Sequence, residues 1–121
     1  MKKILFIEDE PALQKTLGGA LTAENFQVVS ATDGEIGLRL AKSEKPDLIL
    51  LDLILPRLQG LEVLKRLKED DNCRQIPVII LTNLDDAKNI EEALEMGATT
   101  YLAKTSYNLG EVVEKIKKAL I

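Results

Sequence analysis

The 121-residue sequence contains no histidine and no tryptophan, and its single cysteine is Cys73. Without histidine, the chain has no serine–histidine or cysteine–histidine nucleophilic pair, no imidazole metal ligand and no means of carrying phosphohistidine. A single thiol excludes an intramolecular disulfide and favours a reducing compartment, and the plain interpretation of Cys73 is a bystander on the surface. Any chemistry must therefore use carboxylates, hydroxyls, amines or a bound metal ion.

Long apolar runs and basic blocks are also absent. No apolar segment approaches the ~20 residues that span a bilayer, and acidic residues interrupt the apolar start, which argues against a signal peptide. The net charge is −4, and we interpret the lysines near the end of the chain (Lys115, Lys117 and Lys118) as the solvent face of a helix. We therefore expect a cytoplasmic protein that binds neither membranes nor nucleic acids directly.

Short apolar runs alternate with amphipathic stretches along the chain. The predicted strands are 4–7, 26–31, 48–51, 78–81 and 100–103, and the predicted helices are 11–24, 34–43, 61–68, 87–96 and 109–120. Strands of about four to six apolar residues, each followed by a helix, indicate right-handed crossovers and a parallel sheet covered on both faces. The sequence thus predicts a single doubly wound α/β domain that fills residues 1–121.

Polar side chains follow four of the predicted strands: Glu8, Asp9 and Glu10, then Asp52, Thr82 and Lys104. In an open parallel sheet, ligands bind outside the carboxyl ends of the strands, so these groups should share one rim. Clustered carboxylates suit Mg²⁺, which takes oxygen ligands. An amine and a hydroxyl nearby could hold phosphoryl oxygens. Together the groups describe phosphoryl transfer to an aspartate.

Each of these residues, taken alone, has a simpler structural interpretation. A helix cap could account for Glu8, Asp9 and Glu10, and Asp52 could cap a helix or start a turn. Thr82 could be a satisfied turn hydroxyl, and Lys104 could face solvent. The case for a site rests on coincidence, because four separate strand ends carry the groups that one reaction needs.

These motifs together resemble the receiver domain of bacterial two-component response regulators over essentially the whole chain. Residues 7–11 (Ile-Glu-Asp-Glu-Pro) match the acidic pair of the family, and residues 52–56 (Asp-Leu-Ile-Leu-Pro) with Gly60 match its phosphoacceptor loop. Residues 81–82 (Leu-Thr) match the switch hydroxyl, and residues 101–104 (Tyr-Leu-Ala-Lys) match the switch aromatic and the lysine. The resemblance implies a (βα)5 flavodoxin-like fold with strand order 2-1-3-4-5.

The resemblance also implies roles in a switch. Asp52 would be the nucleophile that takes a phosphoryl group, and Lys104 would pair first with its carboxylate and then with that group. Thr82 would move to bond a phosphoryl oxygen, and Tyr101 would turn inward into the space vacated. This shift would alter a surface formed by the fourth helix, fifth strand and fifth helix. Tyr101 could equally be a plain, half-buried strand aromatic.

A Mg²⁺ ion and two kinds of protein partner are implied as well. Asp9 and Asp52 would bind the ion, Glu8 would do so largely through water, and Ile54 would contribute only its backbone carbonyl. The phosphoryl donor would be a histidine kinase or a phosphotransfer protein, and a downstream protein or output domain would dock on the switched surface. Such a chain is a phosphoacceptor that assists its own phosphorylation and dephosphorylation rather than an enzyme.

Three residues depart from the usual pattern of the family. Thr105 stands where proline is usual, often with a cis bond, which predicts a more mobile loop or a less firmly placed Lys104. Asn83 stands where a small apolar residue is usual and could crowd or hydrogen-bond the phosphoryl group. Glu8 replaces the commoner aspartate. None of these changes removes a required functional group.

Three other functions compete with this interpretation. A degenerate receiver would act as a phosphorylation-independent interaction module, but the complete set of Asp9, Asp52, Thr82 and Lys104 argues against it. A phosphatase with an aspartyl nucleophile would need a second acid two residues later, where this chain has Ile54. A flavodoxin-like electron carrier would need aromatic residues around its flavin, and the chain has only two Phe and two Tyr.

Overall fold

The computed structural model describes residues 1–83, 86–104 and 108–121 of the chain. Within them, strands and helices alternate as predicted, and no predicted boundary is wrong by more than one residue. The strands are β1 (Lys3–Ile7), β2 (Gln27–Ala31), β3 (Leu48–Asp52), β4 (Val78–Thr82) and β5 (Thr100–Ala103). The helices are α1 (Pro11–Ala23), α2 (Gly34–Glu44), α3 (Gly60–Glu69), α4 (Ala87–Glu95) and α5 (Leu109–Ala119). Thr105 lies outside the described residues.

The five strands form one parallel sheet in the order β2-β1-β3-β4-β5, which confirms the expected flavodoxin-like topology. The chain runs outward from β1 to β2 and then returns past β1 to β3, so the direction of winding reverses between β1 and β3. At such a reversal the connections on either side diverge and leave a crevice at the carboxyl ends of the two strands.

The strands are apolar because both faces of the sheet are buried. Every residue of β3 and β4 is buried, as expected for central strands of a parallel sheet. Successive side chains point to opposite faces. In β1, Leu5 and Ile7 join the core beneath α2, α3 and α4, while Ile4 and Phe6 join the core beneath α1 and α5. The two cores thus pack against opposite faces of the sheet.

Local signals set several helix ends. Pro11 occupies the first turn of α1, where its missing N–H is not needed. The Asp33 side chain accepts a hydrogen bond from the Ile36 N–H at 2.8 Å and caps α2. Asn108 caps α5 in the same way. Gly97, just beyond α4, has a φ of +110° and ends that helix.

Cys73 is buried, with 1% of its surface exposed, so the expectation of a surface bystander was wrong. The loop between α3 and β4 turns back at Asp70, whose backbone carbonyl accepts the Cys73 N–H at 3.1 Å. This turn places the thiol in the apolar cluster beneath α2 and α3. Burial, together with the nearby Asp70 carboxylate, raises the pKa of the Cys73 thiol and makes it a poor nucleophile.

No helix in the described ranges is both long enough and apolar enough to cross a membrane.

Candidate functional site

Three carboxylates meet at the carboxyl ends of β1 and β3. Glu8, Asp9 and Asp52 each offer an oxygen, and these oxygens lie within 4.8 Å of one another. The meeting follows from the sheet register, in which Ile7 lies beside Leu51, so that the residues after each strand share one edge. Glu8 and Asp52 are buried, whereas Asp9 is exposed. The cluster therefore opens to solvent on the Asp9 side.

Lys104 supplies a positive charge to this cluster. Its Nζ lies 2.9 Å from Oδ2 of Asp52 and 3.2 Å from Oε2 of Glu8. Its backbone N–H donates to the Thr82 carbonyl at 2.8 Å, which continues the pairing of β5 with β4 by one residue. The side chain is only 18% exposed, so the interpretation of Lys104 as a solvent-facing residue does not hold.

Burial and neighbouring charges both shift the pKa values of Lys104 and Glu8. The neighbouring charges dominate for Lys104, and burial dominates for Glu8. Burial alone would lower the pKa of Lys104, but the hydrogen bond and charge of Asp52, reinforced by Glu8, raise it. Glu8 is fully buried, and this burial is the main reason that its pKa rises to about 7. The Glu10 N–H, which donates to Glu8 Oε2 at 3.0 Å, and the Lys104 ammonium reduce the rise, while the charge of Asp52 adds to it.

The cluster has unused capacity for a cation. The cluster contains three carboxylates and one ammonium, which pairs with two of them. The buried Oε1 of Glu8 has no hydrogen-bond partner within the described part of the chain. Oxygen donors, an excess of negative charge and an open side suit a hard divalent ion such as Mg²⁺. The residues present therefore fit the ion that the sequence predicted.

Asp52 is held on both of its oxygens. Oδ1 accepts the Ile54 N–H at 3.1 Å, and Oδ2 accepts from Lys104. The loop around it packs tightly on α3, because a Cβ added at Gly60 would overlap the Asp52 carbonyl and the Leu53 backbone. The Ile54 side chain, in contrast, points to solvent and is 62% exposed. Only the backbone of Ile54 is therefore engaged with the site.

Thr82 and Tyr101 lie on the two strands beyond β3. Thr82 is buried at the end of β4, next in sequence to Leu81, which pairs with Asp52. Its hydroxyl donates to the Asn83 carbonyl at 3.1 Å, not to Asp52. Tyr101 is 37% exposed on β5. The ammonium of Lys115 donates to the Tyr101 carbonyl at 3.0 Å and lies 5.6 Å from the centre of its ring.

The structure thus brings together the side chains of Glu8, Asp9, Asp52 and Lys104. Thr82 lies one residue beyond the β4 partner of Asp52, and Tyr101 stands outward on β5. Sequence reasoning missed two contributors, the backbone N–H of Glu10 and the side chain of Gln14, whose amide nitrogen lies 3.1 Å from the Glu8 carbonyl. A glutamine in the first turns of a helix that follows a strand is an ordinary surface pattern. Its contact becomes visible only once α1 is packed on the sheet.

The comparisons with known proteins agree with this geometry. Residues 4–117 match the family model described as the response regulator receiver domain. This chain belongs to that family. Receiver domains are phosphoacceptor switches rather than conventional enzymes, they interact with histidine kinases or phosphotransfer proteins, and they bind Mg²⁺ at an acidic pocket.

Curated relatives of this receiver domain include proteins of different lengths. It is 36% identical over 120 residues to sporulation initiation phosphotransferase F of Bacillus subtilis, covering 98% of this chain and 94% of that protein. It is 38% identical over 119 residues to the alkaline phosphatase synthesis transcriptional regulatory protein PhoP of the same organism, covering 98% of this chain and 48% of that protein. The chain spans about half the length of several curated relatives that it matches.

Among solved structures, the receiver domain of the sensor histidine kinase PA1611 from Pseudomonas aeruginosa superimposes with a TM-score of 0.90 and 28% identity. The superposition covers 98% of this chain and 97% of that one. That protein carries a magnesium ion coordinated in its active site cleft. The family and the fold expected from the sequence are both confirmed.

Proposed function

We propose that this receiver domain accepts a phosphoryl group on Asp52 in a Mg²⁺-dependent reaction, and that the modification switches a protein-docking surface. The observation that carries the proposal is the Lys104 ammonium, which bridges Asp52 and Glu8 inside a cluster of three carboxylates. A buried carboxylate held by an ammonium at the open end of a parallel sheet is suited to nucleophilic attack at phosphorus.

In this reaction a carboxylate oxygen of Asp52 forms a bond to phosphorus while the phosphorus–nitrogen bond of the donor breaks. The leaving electron pair goes to an imidazole nitrogen of the donor, which is then protonated. The donor histidine must lie outside these 121 residues, because they contain no histidine. A histidine kinase or a phosphotransfer protein fits this requirement. The hydrogen bonds to Asp52 from Ile54 and Lys104 would orient the carboxylate during attack.

Asp9, Asp52 and Glu8 would hold the Mg²⁺ ion, with Glu8 acting largely through water and Ile54 through its backbone carbonyl. When bound, the ion would neutralise charge on the phosphoryl oxygens. The exposed position of Asp9 would leave a path for ion and donor to enter. Lys104 would transfer its hydrogen bonds from the free carboxylate to the phosphoryl group. Its ammonium would therefore remain in the site before and after the reaction.

The switch would run from Thr82 to Tyr101. The Thr82 hydroxyl would leave the Asn83 carbonyl to bond a phosphoryl oxygen, and the Tyr101 ring would turn inward from its exposed position. Tyr101, Leu94 on α4 and Leu109 on α5 are large apolar side chains more than a third exposed. A downstream protein or output domain would dock on this α4–β5–α5 surface and sense the change.

Two further proposals accompany this function. Residues 1–121 would form one receiver domain, since the elements run from Lys3 to Ala119 around one sheet. The domain would work in the cytoplasm, where the free thiol of Cys73 remains reduced. We propose no direct contact with nucleic acids or membranes, because the chain has a net charge of −4.

The test is to incubate metal-loaded protein with acetyl phosphate and to follow the intact mass. Wild-type protein should gain one phosphoryl group, and Asp52→Asn should gain none. Asp71→Asn is a matched control, because the Asp71 side chain is 87% exposed and only weakly paired with Arg74. If Asp52→Asn still gains a phosphoryl group, another residue is the site of phosphorylation. A wild-type protein that takes no phosphate and binds no beryllofluoride would instead be a degenerate receiver.

A further inference from the structure

Gln14 joins the ends of two strands through its side-chain amide. Its Nε2 lies 3.0 Å from the carbonyl oxygen of Phe6, 3.1 Å from that of Glu8 and 3.2 Å from that of Ala31. Three acceptors around one atom determine which end of the amide faces the sheet, because an oxygen in this position would meet three acceptors and no donor. The amide nitrogen is therefore directed at the carboxyl edge of β1 and β2.

The Glu8 carbonyl depends on Gln14 more than the other two do. Ala31 also accepts the Glu8 N–H at 2.9 Å, the last bond of the β1–β2 ladder, and Phe6 lies inside that ladder. Beyond it the chain leaves the sheet. Within the described part of the chain, Gln14 supplies the one hydrogen bond that the Glu8 carbonyl accepts. The Gln14 amide thus donates to the first carbonyl beyond the end of the β1–β2 pairing.

That carbonyl belongs to the peptide that links Glu8 to Asp9. Holding it orients the peptide plane from which the Asp9 side chain leaves the backbone. The backbone N–H of Gln14 also donates to the Glu10 carbonyl at 3.0 Å, and the Glu10 N–H donates to Glu8 Oε2 at 3.0 Å. Residues 8–10 are therefore tied to α1 at both ends, through one residue of that helix.

We propose that Gln14 is a positioning residue for the acidic cluster: it orients the Glu8–Asp9 peptide and thereby sets the affinity of the cluster for Mg²⁺. The inference rests on the proposed Mg²⁺ site. The cost of the arrangement is visible, since the Oε1 of Gln14 is buried without a partner in the described ranges. An apolar side chain would avoid this cost, but it would leave the Glu8 carbonyl without a donor.

The first test compares Gln14→Met with wild type by calorimetric titration of the metal-free protein with MgCl₂. Methionine preserves length and removes the N–H donors. The dissociation constant should rise about tenfold, as is usual when a group that orients a metal ligand is lost. Leu21→Val is the matched control, because Leu21 is buried at the far end of the same helix. It should lower the free energy of unfolding and leave the dissociation constant unchanged.

The second test measures hydrogen exchange of the Glu10 amide in the absence of metal. Exchange should accelerate in Gln14→Met and not in Leu21→Val, because only the former loosens residues 8–10. Gln14→Lys supplies three N–H donors in place of the two of the amide and should keep the slow exchange of wild type, although its charge repels Mg²⁺. This variant also keeps the question answerable if the methionine variant does not fold.

The outcomes separate this inference from the proposed function. A wild-type protein that does not bind Mg²⁺ would overturn the function itself. Binding by wild type and Gln14→Met with the same affinity would overturn only the positioning role. Equal losses of affinity in Gln14→Met and Leu21→Val would reduce Gln14 to a stabilising residue, and fast Glu10 exchange in Gln14→Lys would show that the donors are not what orders the loop.

Discussion

The Nζ of Lys104, a residue that follows β5, lies 2.9 Å from Oδ2 of Asp52 at the end of β3, with β4 between the two strands. The same ammonium lies 3.2 Å from Oε2 of Glu8. One lysine therefore pairs with two buried carboxylates. Breaking such a buried arrangement leaves unpaired charge and is strongly destabilising.

The first prediction concerns loss of this ammonium. Lys104→Met should lower the free energy of unfolding of the metal-free protein at pH 8 by about 2 kcal/mol, because Asp52 and Glu8 lose their shared counter-charge. It should also tighten Mg²⁺ binding several-fold, since no fixed cation then competes for the same oxygens. Urea unfolding in EDTA and calorimetric titration check the two effects. Lys65→Met, at an exposed position of α3, should change neither quantity.

The second prediction concerns pH and Glu8. Its pKa rises from 4.5 to about 7 on folding, so the folded state keeps a proton that the unfolded state has released. Stability of the metal-free protein should therefore fall as the pH rises from about 4.5 to 7. Glu8→Gln removes this loss and should stabilise the protein by about 2 kcal/mol at pH 8.

The gain from Glu8→Gln should vanish at pH 4, where Glu8 is protonated in both states, and Mg²⁺ binding should weaken at any pH. Glu114→Gln, whose side chain is 70% exposed, is the control for a simple change of net charge. A gain in stability that is the same at pH 4 and pH 8 would contradict the electrostatic origin.

The third prediction concerns Thr82. Thr82→Val keeps the shape of the side chain and removes the hydroxyl that donates to the Asn83 carbonyl. Phosphorylation of Asp52 by acetyl phosphate should proceed, but the changes in amide chemical shifts along β5 and α5 should largely disappear. Thr22→Val removes a hydroxyl on α1 that donates to the Gly18 carbonyl and should leave those changes intact. If Thr82→Val shows the same changes in chemical shift on phosphorylation as wild type, the Thr82 hydroxyl has no role in the switch.

The fourth prediction concerns backbone strain beside the site. Arg57 has a φ of +67°, a conformation that favours glycine, and its side chain lies 3.5 Å from Asp33 while 68% exposed. Such exposed pairs contribute little. Arg57→Gly should therefore raise the free energy of unfolding by about 0.5–1 kcal/mol. Arg57→Ala removes the pair and keeps the strained φ, so a gain there would point to a different cause.

Most of the fold could be predicted because its signals are local. Continuous apolar runs such as that of β3 report burial on both faces, and Pro11, Asp33, Asn108 and Gly97 mark helix ends through their own backbone or side-chain chemistry. The strand order could not be derived in this way. It depends on which strands meet across the sheet, and only the resemblance to the receiver family supplied it.

The burial of Cys73 escaped prediction for a related reason. The cysteine stands among polar residues, and a local pattern of that kind predicts a surface loop. A turn at Asp70 carries the thiol under α2, an element remote in sequence. The role of Gln14 could not be predicted for the same reason. Its three acceptors lie at the ends of two strands, and the position of Gln14 in the sequence does not indicate that it contacts them.

The amino-acid sequence by itself determined the alternation of strands and helices, the absence of histidine chemistry, and which groups stand at the ends of the strands. Tertiary structure alone decided that Lys104 reaches Asp52 and Glu8, that Glu8 is buried with a raised pKa, and that Tyr101 stands outward. The reason is physical. Backbone preference and hydropathy act between near neighbours in the chain, whereas charge, desolvation and hydrogen bonding act between whatever the packing of the sheet brings together.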